Sequence, residues 1–165
     1  MTAPAHNTPL RHSIPGASTR RAPAAGVAKV LFVSVRGAGR AQIAAGFFNQ
    51  LANAELARAV VAGIRPAAHV QPDVLGAMRE VGVRVPLIPP VQITHELARD
   101  ASWLITLGCR EECSDVQIGQ HEDWPVPDLA DQPVHLVCHA RDAIRARVWS
   151  LIVREGWWRF GRAPF

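Results

Sequence analysis

Three short apolar runs, KVLFVS (29–34), ARAVVAG (57–63) and SWLITLG (102–108), are spaced along the chain with helix-type sequence between them. The first reads as a buried strand and the other two as strands. After the first, residues 40 to 53 place Ile43, Phe47, Phe48 and Leu51 on one helical face. QPDVLGAMREVG (71–82) carries Pro72 near its start and Gly82 at its end, the usual punctuation of a helix. A further helix starts behind Thr94, a suitable N-cap, over 94–101, and a long one runs from about Arg141 to Arg154. Strands alternating with helices imply an α/β fold with a parallel sheet and helices on both faces. Ligands in such folds bind beyond the carboxyl ends of the strands. VRVPLIPPVQI (83–93) reads as a proline-punctuated connection and residues 109–121 as a cysteine-bearing loop.

The 165 residues suffice for one domain with a real core. It begins at about residue 28, because residues 1–27 are rich in Pro, Ala, Ser and Thr without apolar periodicity and read as a disordered tail. Arg11, Arg20, Arg21 and Lys29 are the four basic residues of the first 29, which hold no acid. The remainder carries 14 basic against 14 acidic residues. The net charge of +4 therefore belongs to the tail and gives no ground for a nucleic-acid partner. An acid-free, arginine-bearing leader also suits a transit peptide, but Pro4, Pro9, Pro15 and Pro23 would break its amphipathic helix. No apolar run reaches the length of a transmembrane segment. Three cysteines without a signal peptide fit a reducing cytoplasm.

The chemistry concentrates where the first strand meets the first helix. Ser34 ends the strand, Val35, Arg36, Gly37, Ala38 and Gly39 form the turn, and Arg40 opens the helix. Turn N–H groups and a helix N-terminus together make an anion site, and an arginine fork adds two donors. Gly37 and Gly39 are expected to supply the positive φ angles of such a nest. An ordinary strand-to-helix turn with a surface arginine is the plain alternative. A dinucleotide fingerprint fits poorly, since Gln42 stands at the third glycine and ARAVVAG ends without an acid.

VLFVSVRGAGRAQIAAGFFN resembles the signature of the low-molecular-weight protein tyrosine phosphatases and, more closely, of their arsenate reductase relatives. The resemblance continues through AGIRPAAHVQPDVLGAMREVGV, ITLGCREEC, EDWPVPDLADQ and ARDAIRARVWSLI, and so covers residues 28–154. It implies a three-layer α/β domain with a four-stranded parallel sheet. The absence of tyrosine and the EDW segment favour the arsenate reductase branch. By this resemblance Ser34 holds the nucleophile's position, Arg40 that of the oxyanion clamp and Asp128 that of the general acid. Residues 34–40 would bind phosphate, arsenate or a phospho-ligand. The chain departs from the pattern where Ser34 replaces Cys, Gly37 replaces Asn, Ala41 replaces Ser and Leu129 replaces Pro.

Those departures fall on groups that serve a thiolate. A loop cysteine beside a helix N-terminus and an arginine titrates well below its free value of about 8.5. The same field does not ionise a serine hydroxyl, and no base adjoins Ser34 in sequence. Arsenate reduction also needs sulfur as the electron source, which oxygen does not replace. The expectation is a loop that binds tetrahedral oxyanions without thiol catalysis. Two alternatives stand beside it: an active phosphatase or arsenate reductase with an atypical nucleophile, and an interaction module.

Cys109 and Cys113, in GCREEC, match positions from which relatives draw redox cysteines. A zinc site from Cys109, Cys113, His121 and Cys138 or His139 fits no standard spacing, so no metal and no cofactor is expected. His135 and His139 read as surface or capping residues. Asp128 reads equally as a turn residue after Pro127. Residues 155–165, REGWWRFGRAPF without its first residue, form an aromatic-basic tail. Trp157, Trp158, Phe160 and Phe165 would either dock on a protein partner or pack on the chain's own helices.

Overall fold

The computed structural model describes residues 26–116 and 120–159. The elements run β1 (Ala28–Ser34), α1 (Arg40–Leu51), β2 (Ala57–Gly63), α2 (Pro72–Glu80), β3 (Val91–Gln92), α3 (His95–Arg99), β4 (Trp103–Leu107), β5 (His121–Trp124) and α4 (Val134–Glu155). The sheet is parallel throughout, in the order β3-β2-β1-β4-β5. Helices α1, α2 and α4 pack around Phe32, Phe47, Phe48 and Ile144 on one face, and Leu31, Val33, Leu104 and Ala98 fill the other, with α3. β1 is central, which is why KVLFVS is apolar on both sides, and burying each large side chain there contributes about 1.5–3 kcal/mol.

The sheet has five strands where the resemblance implied four. β3 pairs only Val91 with Ala62 and Gln92 with Gly63. Pro86, Pro89 and Pro90 lack the N–H a ladder needs, so pairing waits until Val91, too short a run to show a period. β5 starts at the last residue of the 109–121 loop and runs into the EDW segment, where no strand was expected. As an edge strand it is polar, and only its Trp124 is buried. α4 begins at Val134 rather than near Arg141. Val137, Arg141, Ile144, Val148 and Leu151 form one buried stripe from its first turn. Thr94 caps α3 as expected, its Oγ1 accepting from Leu97 N at 3.0 Å.

Just beyond α4 the chain closes back on the core at Trp157. Trp157 is buried against Phe48, ring centroids 5.9 Å apart, and its carbonyl accepts from Asn53 N. That tryptophan is core, while Trp158 remains partly exposed. The tail predicted at residues 1–27 lies almost entirely outside the described residues, as do Phe160 and Phe165. Among the described residues no helix is long and apolar enough to cross a membrane.

Candidate functional site

β1 delivers Ser34 to the carboxyl edge of the sheet, and the chain then turns into α1. Helix α1 has no side-chain N-cap and no acid in its first turn. Its orphan N–H groups are left for another partner, and nothing there repels an anion.

The loop carbonyls show which way the loop faces. Val35 O accepts from Arg65 N, Arg36 O from Ala67 N, Ala38 O from Gln71 N and Gly39 O from Ile43 N. Gly37 O accepts from the buried side chain of Gln42 at 3.0 Å. Five successive carbonyls are thus held outward. A trans peptide sets its N–H opposite its C=O, so the N–H groups of residues 36 to 40 turn to the other side. Gly37 N illustrates this, donating to Ser34 Oγ at 3.2 Å. Ser34 is 2% exposed, and its Oγ receives that donor.

Glycines make the loop possible for different reasons. Gly37 has φ +63°, the left-handed conformation expected of it. Gly39 does not: its φ is −128°. What Gly39 needs is room, because the Gln71 amide oxygen occupies the place a Cβ would take. A Cβ on Gly37 would lie 2.6 Å from Pro90 Cβ. The asparagine that the resemblance puts at this position therefore has no space here, and Gln42 fastens the loop instead. At Gly63 a Cβ would come within 2.9 Å of the Arg36 backbone, so β2 supports the loop from beneath.

Arg40 is 6% exposed and donates from Nη1 to Val126 O at 2.7 Å. Its Nη2 lies 3.6 Å from Asp128 Oδ1, which brings together two residues matched from distant parts of the sequence. Asp128 stays solvent-facing, 67% exposed, and its Oδ1 also accepts from Leu129 N at 2.8 Å. It is a turn aspartate and a rim carboxylate at once. Gly108, φ +68°, lets the guanidinium in: a Cβ there would stand 2.5 Å from Arg40 Nη1 and 2.6 Å from Val126 O. The sequence reading missed Gln42, Gly63, Pro90 and Gly108. A glycine directly after each of two buried strands was the available signal for Gly63 and Gly108.

Cys109 and Cys113 are both buried, with sulfurs 3.9 Å apart, and Cys109 Sγ donates to Val33 O at 3.4 Å. The hydrogen bond with Cys113 and then burial push the Cys109 thiol up, far outside the physiological range. The same bond pulls Cys113 down. The two titrate as a pair, with the first thiolate stabilised by the second thiol. His121 does not join them, since its Nε2 meets Thr106 Oγ1 at 3.1 Å. His135 and His139 lie exposed on α4. Among the described residues no group of three or more His, Cys, Asp or Glu is placed to hold a metal.

No protein-family model and no curated protein matches the sequence. Solved structures do match. The thioredoxin-dependent arsenate reductase of Corynebacterium glutamicum is 28% identical with a TM-score of 0.62, over 80% of this chain and 65% of that one. An arsenate reductase in a phosphate-binding state is 26% identical, TM-score 0.67, over 78% of this chain and 98% of that one. The tyrosine phosphatase Wzb of Escherichia coli K30, in complex with sulphate, is 12% identical with a TM-score of 0.70, over 79% of this chain and 99% of that one. The last likeness speaks to the fold alone. The neighbours are thus arsenate reductases and low-molecular-weight phosphatases, and the chain has their three-layer α/β architecture.

Proposed function

We propose that the chain binds a tetrahedral oxyanion, phosphate or arsenate, in the Ser34–Arg40 loop without thiol chemistry, as a sensor, scavenger or partner protein. One observation carries the reading: the five outward carbonyls of residues 35 to 39, which leave a ring of N–H donors around Ser34 with the Arg40 guanidinium beside it. Such a ring serves any tetrahedral anion and asks nothing of the side chain at position 34 beyond size and a hydroxyl. Ser34 contributes a hydrogen bond where a cysteine would contribute a nucleophile. The sulphate-bound and phosphate-binding neighbours support the ligand class. The unbridged cysteines fit a reducing compartment.

Calorimetric titration of the full chain with phosphate, arsenate and sulfate tests the reading. Binding that Arg40→Ala abolishes is the expected result, and heats unaffected by that change would reject it. The placement of Asp128 beside Arg40 favours a second reading, an enzyme with an atypical nucleophile. Repeated turnover of an aryl phosphate, lost in Ser34→Ala, would establish that one.

A further inference from the structure

Behind the oxyanion loop, on the side away from Asp128, α1 and β2 part from the 83–91 strap and leave a cavity of about 270 Å³. Its walls are Ala45 and Asn49 of α1, Ala59 and Val61 of β2, and Arg84 and Ile88 of the strap. The small residues create the concavity, and the proline-broken strap, which joins the sheet only at Val91, cannot close onto β2 to fill it. The volume is below the roughly 300–1,000 Å³ of drug-sized ligand sites, so an occupant is small.

The polar groups define its chemistry. Arg84 is exposed and makes no hydrogen bond or ion pair among the described residues. Asn49 Oδ1 accepts from Ala59 N at 3.0 Å, and its amide nitrogen has no acceptor among the described residues. A free guanidinium and a free amide donor beside an apolar hollow ask for an apolar body ending in one carboxylate. Ile88, 69% exposed, gains burial only if something occupies the hollow beside it.

We propose that this cavity binds a small amphipathic monocarboxylate, and that its occupancy is felt at the oxyanion loop. Two wall residues reach the same atom group: Gln42 holds Gly37 O, and the Pro90 ring packs on the Gly37 Cα. A ligand that shifts the strap or α1 therefore shifts Gly37 and the donors on either side of it. Binding in the cavity stands independently of the loop's proposed function, while the coupling rests on it.

The probe is 2-naphthoate, with 2-naphthalenemethanol as its uncharged counterpart, titrated into the full chain with amide chemical shifts recorded. Shifts are expected at residues 42–49 and 84–92 and at Gly37. Arg84→Ala is expected to weaken naphthoate by about three- to tenfold while leaving the alcohol unchanged. Ala59→Leu and, separately, Val61→Phe fill the hollow and should remove the binding of both ligands and, with it, any effect of naphthoate on the phosphate Kd. Saturating naphthoate should change the phosphate Kd at least about twofold, and an unchanged Kd would overturn the coupling. No binding at about 10 mM, or shifts confined to residues 34–40 and reversed by phosphate, would overturn the cavity site. If phosphate itself fails to bind, the loop's proposed function falls and the naphthoate titration still decides the cavity.

Discussion

The oxyanion loop and the Cys109–Cys113 pair lie on the same edge of the sheet and are built on opposite principles. The loop is held almost wholly by backbone: its carbonyls are fastened by Arg65 N, Ala67 N, Gln71 N and Ile43 N, with one side chain, Gln42, among the fasteners. The cysteine pair is held through its side chains, two buried sulfurs 3.9 Å apart with Cys109 Sγ donating to Val33 O. The difference teaches that a backbone-built loop keeps its shape whatever side chain it displays, whereas a side-chain pair exists only while both of its members are present.

Removing the clamp breaks the comparison most directly. Arg40→Ala strands Val126 O and leaves the loop with N–H donors alone, so phosphate affinity should drop by about a hundredfold or more on calorimetry. A loss under about threefold would mean the backbone ring carries the anion without help.

Two glycines with nearly equal φ separate conformational strain from lack of space. Gly82, φ +70°, has open space around its Cα, while Gly108, φ +68°, faces Arg40 and Val126. Gly82→Ala should cost about 1 kcal/mol from backbone strain, and Gly108→Ala about 2–4 kcal/mol with weakened phosphate binding. Equal costs in chemical denaturation would show that the Arg40 seat yields easily.

Gln42→Ala tests the one side-chain fastener. It leaves the buried Gly37 carbonyl unpaired, for an expected loss of about 1–2 kcal/mol in stability and a several-fold weaker phosphate titration.

Ser34→Cys sharpens the contrast between the two regions within one molecule. In the ring of donors the new thiol should titrate about one unit below its free value of about 8.5 and react with iodoacetamide at neutral pH. Cys109, whose thiol is raised, should stay unlabelled in the same experiment. A new cysteine that titrates normally would mean the donors do not converge on position 34.

The smallest effect belongs to the buried pair. The folded Cys109 holds its proton where an unfolded thiol, with a value near 9.0, releases it. Cys109's contribution is therefore present below about pH 9 and fades above it, while Cys113, lowered by the same bond, adds stability as pH rises toward that value. A melting temperature that declines more gently above about pH 9 in Cys109→Ala than in the parent checks this, at under about 1 kcal/mol.

Much of this molecule was legible in the residues. β2 runs from Ala57 to Gly63 as the apolar pattern implied, and the turn from Ser34 to Arg40 sits between strand and helix. Burial writes itself into the apolar run of β1, a lesser share of apolar residues still marks β2, and a turn declares itself by its glycines. β3 and β5 were not legible, because two residues after a proline pair, and three polar residues and one tryptophan at an edge, leave no periodic signal.

What the sequence by itself determined is the local order of elements and the position of the strand-to-helix turn at residues 34–40, since both follow from patterns a few residues long. What only the tertiary structure decided is how that turn is held. Arg40 meets Val126 across 86 residues, Gly108 clears the space for it, Pro90 closes the room an asparagine would need, and Trp157 joins the core instead of leaving it. None of these contacts is encoded by neighbouring residues. The first three exist because a parallel sheet brings the carboxyl ends of separate strands to one edge, where close packing tests every Cβ against distant backbone, and the last because α4 returns the chain to Phe48 and Asn53.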